Sequence, residues 1–174
     1  MGHLHTSVGA CAGCDAPGAA FARHDHDHCA ADVLARAEAL AADQGARLTP
    51  VRKRVLQILL EDHRAMGAYE VLQRLAAEGF GNQPPVAYRA LDFLVDQGFA
   101  HRIRRLNAFT ACMHPGEVHA PAFLICRGCD AVAEAPAAAV RAALEAAGAA
   151  VGFTVERSNI EALGLCQPCR DKGL

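Results

Sequence analysis

The chain has 174 residues, of which 52% are hydrophobic and 21% are charged, and its formal net charge is −2. This length suffices for one large domain or two small ones with a buried core. The charge argues against a strongly basic nucleic-acid binder, and neither an apolar run of membrane-spanning length nor a signal-peptide core is present. We therefore expect a cytoplasmic protein, outside the membrane, whose cysteines are reduced.

Residues 1–29 are predicted to form a Cys/His-rich disordered tail. They combine Cys11-x-x-Cys14 with alternating His and Asp from His24 to His28, and they show little apolar periodicity. Imidazoles and carboxylates at this density can bind zinc or nickel loosely, while a solvated arm with incidental ligands explains the same pattern. A sensor arm, a zinc buffer and a neutral extension all stay open.

Four helices are predicted in the following part of the chain. Apolar residues recur at helical spacing in each, and glycines end three of them. Thr49 caps the second helix and Pro50 begins it, while Pro84-Pro85 begins the fourth. The predicted ranges are 31–44, from 50 onward, 68–78 and 84–97.

The fourth helix and the segments after it indicate a winged helix-turn-helix. Arg89 points away from the apolar face of this helix, and Tyr88 lies on its flank. Two short alternating segments, 100–103 and 108–112, predict the strands of a wing. In such a fold the helix enters the major groove and the wing contacts phosphates, whereas a small helical bundle with a solvated face is the alternative. Three basic residues lie where the wing would be: Arg102, Arg104 and Arg105.

Two Cys-x-x-Cys knuckles predict a zinc site in the C-terminal half. Two residues between the thiolates let one turn direct both sulfurs at a single ion, and two such turns complete a tetrahedral shell. Four thiolates leave no position open for a substrate, so this zinc would be structural. A disulfide scaffold is the alternative, which the spacing disfavours. The ligands would be Cys126, Cys129, Cys166 and Cys169.

Around these knuckles the pattern predicts a small α/β unit. Strands are expected at 122–126, 131–134 and 152–160, with a helix at 136–147. A unit of this size has a thin core, which a metal stabilises. Such units often dimerise, and a two-fold protein matches a palindromic operator.

Four further ligand-type residues lie between the wing and the last strands. Two imidazoles, a thiolate and a carboxylate satisfy tetrahedral zinc, and here they come from both halves of the chain. Occupancy would then fix the angle between the halves, as a sensor requires. Taken singly, each has an ordinary explanation as a core cysteine, a surface histidine or a solvated strand end. The set is His101, Cys112, His119 and Glu134.

Five runs carry a resemblance to a known family. They are Leu48-Thr49-Pro50-x-Arg52, Pro84-Pro85-x-x-Tyr88-Arg89-Ala90-Leu91-Asp92-Phe93-Leu94, Gln97-Gly98-Phe99-x-His101, Phe123-x-Ile125-Cys126-x-x-Cys129 and Asn159-Ile160-Glu161-Ala162-x-Gly164-Leu165-Cys166-x-x-Cys169. By these runs the chain resembles the ferric uptake regulator family, and within it the zinc uptake regulator branch. It departs from the family at Val86-Ala87, where Thr-Val is usual, and at Ser158, where His is frequent.

The resemblance implies an α+β fold. An N-terminal winged helix-turn-helix DNA-binding domain (30–112) would precede a small C-terminal α/β dimerisation and metal-binding domain (113–174), which a zinc ion held by four cysteines stabilises. The implied activity is that of a zinc-responsive dimeric repressor of zinc-uptake genes, without enzymatic activity or a small-molecule substrate. It would bind palindromic double-stranded DNA when the second of two zinc sites per chain is filled.

The resemblance also assigns the residues. The four knuckle cysteines match the structural zinc ligands, and the set of His101, Cys112, His119 and Glu134 matches the regulatory ligands. Tyr88, Arg89 and Arg52 match DNA contacts.

Three alternatives remain at this stage. An iron or peroxide sensor of the same family is disfavoured by the thiolate of Cys112 and by the reduction of the usual histidine cluster to His119, with His114 nearby. A zinc storage or trafficking protein would use the N-terminal tail. A hydrolytic zinc enzyme would need an open position for water, which Cys112 closes.

Overall fold

The computed structural model describes residues 19–21, 26–117 and 119–174. After a single 3₁₀ turn at Ala19–Phe21, the elements are α1 (His26–Asp43), α2 (Pro50–Leu60), β1 (Met66–Gly67), α3 (Ala68–Ala77), α4 (Pro84–Asp96), β2 (Ala100–Ile103), β3 (Ala108–Ala111), β4 (Ala122–Cys126), β5 (Val132–Ala135), α5 (Ala138–Ala150), β6 (Ile160–Gly164) and α6 (Gln167–Asp171). None of the helices in these ranges is both long and apolar enough to cross a membrane.

Helices α1 to α4 and a small sheet pack around one apolar core in the N-terminal half. The backbone N–H of Arg52 donates to Thr49 Oγ1 at 3.4 Å, and Pro50 fits the first turn, so α2 begins where the sequence predicts. Helix α4 starts at Pro84 and stops before Gly98, whose φ of 71° suits a helix C-terminus. The antiparallel sheet has the order β1-β3-β2 and supplies the wing. The predicted winged helix-turn-helix is confirmed.

The C-terminal half contains a mixed sheet of order β5-β4-β6. Strand β4 pairs antiparallel with β5 and parallel with β6, and α5 lies between β5 and β6 along the chain. The parallel pairing brings the ends of β4 and β6 side by side, so the two knuckles that follow these strands can meet. None of the residues of α5 is buried, although the helix is mostly alanine, valine and leucine.

The two halves meet in a second apolar cluster that contains Ile103 from β2 and Phe123 from β4. A backbone hydrogen bond joins them as well, because Val132 N donates to His63 O at 2.7 Å. Strands β2 and β5 therefore lie close enough for side chains from both halves to form one site.

The last strand of the C-terminal sheet differs from its predicted position. The strand predicted at 152–160 is wrong: the strand is β6, because Ile160 pairs with Ala122, the first residue of β4. Because β4 and β6 run parallel and pair from Ala122 and Ile160 onward, residues 153–159 would lie opposite residues that precede β4. None of the described strands pairs with them.

The end of the predicted tail also differs from the expectation. Helix α1 begins at His26 rather than at residue 31, so the last part of the tail is helical. Cys29 is buried in this helix, and Cys112 and the four knuckle cysteines are free thiols. Cys11, Cys14 and His24 lie outside the described residues.

Candidate metal centres and DNA-binding face

The first candidate metal centre consists of the four knuckle cysteines. Cys126 is the last residue of β4 and Cys129 lies in the turn after it, while Cys166 precedes α6 and Cys169 lies within it. Their sulfurs all lie within 4.8 Å of one another. The turn depends on Gly128, since a Cβ there would lie 3.1 Å from the sulfur of Cys169. The structure thus brings both knuckles together as the spacing predicts.

The spacing of the sulfurs fits zinc. A tetrahedral shell with Zn–S bonds of about 2.3 Å places its sulfurs about 3.8 Å apart, and Cys129 Sγ lies 3.8 Å from Cys166 Sγ. Backbone N–H groups of Cys166 and Gly128 donate to Cys126 Sγ at 3.3 and 3.4 Å. Hydrogen bonds of this kind hold thiolate ligands in place around a metal.

The electrostatics of this cluster also favour a cation. Burial alone would raise the pKa of Cys126, but backbone N–H donors, Cys166 and Gly128 among them, lower it to about 6. In contrast, the side chain of Cys166 raises the pKa of Cys169 to about 12. Four thiolates this close repel one another unless a cation neutralises them. A closed set of four thiolates is typical of structural zinc sites.

The second candidate centre joins the two halves of the chain. His101 is the second residue of β2, and Cys112 follows β3, so both come from the winged half. His119 lies in the loop before β4, and Glu134 lies in β5. One ligand atom from each of the four lies within 4.8 Å of the others. The set predicted from the sequence is therefore assembled in space.

The distances in this second centre match a tetrahedral zinc shell of mixed donors. With bonds of about 2.0–2.3 Å, neighbouring donor atoms lie about 3.3–3.6 Å apart. His119 Nε2 lies 3.3 Å from Glu134 Oε2 and 3.5 Å from Cys112 Sγ, and His101 Nε2 lies 3.5 Å from Glu134 Oε1. Within the described part of the chain His101 Nε2 is buried and makes no hydrogen bond, which a metal bond would satisfy.

Backbone groups orient two of these ligands. Met113 N donates to Glu134 Oε1 at 3.1 Å. His119 Nδ1 lies 2.9 Å from the carbonyl oxygen of Glu117 and donates to it, which leaves the lone pair of Nε2 facing the other ligands. The contribution of Glu117 was not predicted from the sequence, because a backbone carbonyl leaves no signal in the residue type.

Protonation of this centre also depends on a cation. Burial lowers the pKa of His101 although Glu134 opposes the shift, so its imidazole is neutral and can donate a lone pair at neutral pH. Burial, together with Glu134, raises the pKa of Cys112 to about 12. A divalent cation reverses the second effect, because a coordinated thiol loses its proton.

His114 is a further imidazole at the edge of this centre. Its Nδ1 lies 3.6 Å from Glu134 Oε2, and its ring centre lies 5.9 Å from that of His119. These residues also line an open cavity of about 630 Å³ beside α5. His114 is not among the four residues whose ligand atoms lie mutually close, so the centre keeps four principal ligands.

The candidate DNA-binding face is the exposed side of α4. Ala87 and Leu91 are buried, whereas Arg89 is exposed and Tyr88 is 51% exposed. The structure thus leaves both predicted contacts of α4 open to solvent. The guanidinium group of Arg52, in contrast, makes contacts within the protein: its Cζ lies 3.6 Å from the ring centre of Phe93, and its Nη1 donates to Arg47 O at 2.7 Å.

Arg52 therefore links α2 to α4 through a cation–π contact. A DNA contact by Arg52 stays a prediction.

The wing is held from the C-terminal sheet. The backbone N–H groups of Arg104 and Arg105 donate to the carboxylate of Glu161, at 2.7 and 2.9 Å. Glu161 lies on β6, far from the wing along the chain. Glu161 belongs to one of the family runs, but no role was predicted for it, because pairing between such distant segments has no local signal.

The chain thus combines a winged helix with a four-cysteine centre and with a mixed centre between its two halves. This combination defines the class of metal-binding winged-helix regulators. Comparison with protein-family models gives no match. The zinc uptake regulation protein of Escherichia coli (strain K12) is 37% identical over 139 residues, which cover 79% of this chain and 81% of that protein.

Two solved structures are similar over most of the chain. A zinc uptake regulator in complex with zinc and DNA is 36% identical, with a TM-score of 0.77 over 83% of this chain and 97% of that one. Holo XcZur is 35% identical, with a TM-score of 0.70 over 84% and 99% of the two chains. The chain belongs to the zinc uptake regulator branch of the ferric uptake regulator family.

Proposed function

We propose that this chain is a zinc-dependent transcriptional repressor with two zinc sites per chain. The observation that carries the proposal is the second centre, whose ligands come from both sides of the joint between the winged half and the C-terminal sheet. A ligand set across a joint has its full geometry in only one arrangement of the two halves. Metal binding therefore favours that arrangement.

The four-cysteine centre is proposed as the structural site. The apolar cluster between the halves is small, so a metal that joins β4 and β6 supplies stability that this core lacks. All four ligand positions come from the protein in both centres, and neither keeps a position for a reactive water. This supports a regulator rather than an enzyme.

The mixed centre is proposed as the regulatory site. His101 and Cys112 fix its position on the winged half, and His119 and Glu134 close it from the other side. If zinc binds the DNA-competent arrangement about 100-fold better, the equilibrium shifts by about 2.7 kcal/mol. Cys112 favours zinc over iron or manganese, because a thiolate is a softer ligand than the oxygen donors that those metals accept.

An exposed apolar face supports a homodimer. On and after α5, Val140, Leu144, Val151 and Phe153 are between 44% and 79% exposed. Strand β6 lies at the edge of its sheet next to residues 153–159, so backbone groups there can pair with a second copy. A two-fold dimer presents two α4 helices, which suits a palindromic operator.

The DNA contact is proposed for the exposed face of α4 and for the wing. Tyr88 and Arg89 are on the first turns of α4, where the N-terminal end of the helix dipole also favours phosphate. A related regulator has been solved in complex with zinc and DNA. Since its target would be chromosomal DNA, we place this protein in the cytoplasm.

A zinc-buffered gel shift on the promoter of a zinc-transporter gene tests the proposal. We expect a complex that forms as free zinc rises and that iron and manganese do not support at physiological concentrations. Cys112→Ser should lose this response while it keeps one zinc and a folded dimer. A Cys112→Ser protein with the full zinc response would refute the assignment of the regulatory site.

A further inference from the structure

Three residues form one row across the C-terminal sheet. Phe123 on β4 pairs with Glu134 on β5 and with Glu161 on β6. Side chains at the same level of neighbouring strands point to the same face of a sheet. The ring of Phe123 is buried, and its centre lies 5.2 Å from that of His101, so this face looks toward the winged half.

Both carboxylates of the row accept hydrogen bonds from backbone groups outside the C-terminal sheet, Glu161 from the wing and Glu134 from the residue directly after Cys112. Glu134 accepts from Met113 N at 3.1 Å and takes part in the mixed centre. Glu161 Oε1 accepts from Arg104 N at 2.7 Å, and Oε2 accepts from Arg105 N at 2.9 Å. N–H bonds to an ionised carboxylate are among the stronger hydrogen bonds in proteins.

The contact of Glu161 is supported on both sides. Asn159 Nδ2 donates to Glu161 Oε1 at 2.6 Å, which orients the carboxylate. In the wing, Arg102 Nη2 donates to Asn107 Oδ1 at 2.9 Å, and Asn107 has φ 47°, so the turn has a defined shape. The hydrogen bonds of Glu161 go to the backbone N–H groups of Arg104 and Arg105, and both arginines are exposed, so their side chains are accessible to DNA.

We propose that Glu161 is a positioning residue that couples the mixed metal centre to the placement of the wing on DNA. The inference rests on the proposed function. Glu134 and Glu161 flank the same residue on neighbouring strands, so the arrangement that completes the mixed centre also fixes where Glu161 meets the wing. Without the Glu161 carboxylate, zinc binding at the mixed centre still fixes the winged half against the C-terminal sheet. The wing itself, however, is no longer anchored to that sheet.

The test compares wild-type protein, Glu161→Gln and the control Asp43→Asn, which also removes one negative charge but does so at an exposed carboxylate at the end of α1. Operator affinity is measured by fluorescence anisotropy at low and at saturating free zinc. In both conditions the protein retains one zinc in the four-cysteine centre. Zinc affinity of the mixed centre is measured by chelator competition, with and without operator DNA. By reciprocity, the factor by which zinc tightens DNA binding equals the factor by which DNA tightens zinc binding.

We expect Glu161→Gln to reduce this coupling factor about tenfold and to leave the zinc affinity of the DNA-free protein within about twofold. Amide hydrogen exchange at Arg104 and Arg105 should accelerate, and Asp43→Asn should match wild type. Asn159→Ala removes only the donor that orients Glu161, so it should also reduce the coupling factor, but by less. If Glu161→Gln fails to fold, Asn159→Ala takes its place in the test.

An unchanged coupling factor in a folded Glu161 variant would overturn the inference and leave the proposed function intact. So would an equal loss of DNA affinity at low and at high zinc, since that indicates a merely structural role. Wild-type protein whose operator binding ignores zinc would instead overturn the proposed function, and the inference with it.

Discussion

Replacement of Glu134 by Gln removes one negative charge from the mixed centre while it preserves the shape of the side chain. The Glu134 side chain is only 8% exposed, and its oxygens lie 3.3–3.6 Å from nitrogens of His101, His114 and His119. Gln keeps an oxygen for the N–H of Met113, so the loop after β3 retains its anchor. The change therefore tests charge rather than packing.

The magnitude follows from the charge balance of the centre. A divalent ion bound to the thiolate of Cys112 carries one uncompensated positive charge, which the carboxylate of Glu134 neutralises. Two unit charges about 4 Å apart interact by about 4 kcal/mol at an effective dielectric constant of 20, and because a ligand lies closer than this to the ion, the value is a lower bound. Since 1.4 kcal/mol is a factor of ten, we expect Glu134→Gln to weaken the second zinc by about three orders of magnitude.

The assay is competition with a chromophoric zinc chelator, after the four-cysteine centre has been filled. Glu117→Gln is the matched control, because it removes an exposed carboxylate beside the same cavity, and the carbonyl of residue 117 still binds His119. The control should change zinc affinity by less than about tenfold, since exposed charges are screened. A Glu134→Gln protein that holds its second zinc within a few-fold of wild type would refute the charge argument.

Three further predictions concern the other centre, the DNA face and the dimer. Gly128→Ala places a Cβ 3.1 Å from Cys169 Sγ, and such overpacking costs about 1–3 kcal/mol, so a chelator should remove the structural zinc about tenfold faster. Val86→Thr adds a hydroxyl at the start of α4, and one phosphate hydrogen bond worth about 1 kcal/mol should tighten operator binding about fivefold, whereas Val86→Ala should not. Leu144→Glu puts a charge on the exposed face of α5, and sedimentation should then show folded monomers with weak operator binding; an intact dimer would count against this interface.

The four-cysteine centre could be predicted almost completely from the sequence. Spacing alone pairs Cys126 with Cys129 and Cys166 with Cys169, because each pair lies within one turn. The meeting of the two turns depends on the parallel pairing of β4 with β6, which no local pattern specifies. The mixed centre is the harder case: its four ligands come from four segments, and only the family resemblance selected them as a set.

The strand predicted at 152–160 is wrong because its local sequence pattern does not determine where the strand pairs. Residues around Phe153 and Val155 alternate as a strand does, yet the register starts with Ile160 opposite Ala122. Strand boundaries depend on the length of the neighbouring strand as well as on propensity. The same applies to Glu161, whose partners in the wing are 56 and 57 residues away along the chain.

The central claim is that the second zinc, and not the first, controls DNA binding. Zinc per protomer, counted by native mass spectrometry, and operator binding, followed by fluorescence anisotropy, should be measured in one titration at buffered free zinc. We expect the protein to retain one zinc per protomer at the lowest free zinc without binding DNA, and to bind the operator in step with the second. Operator binding that is complete with one zinc per protomer, or that is absent when two are bound, would contradict the account.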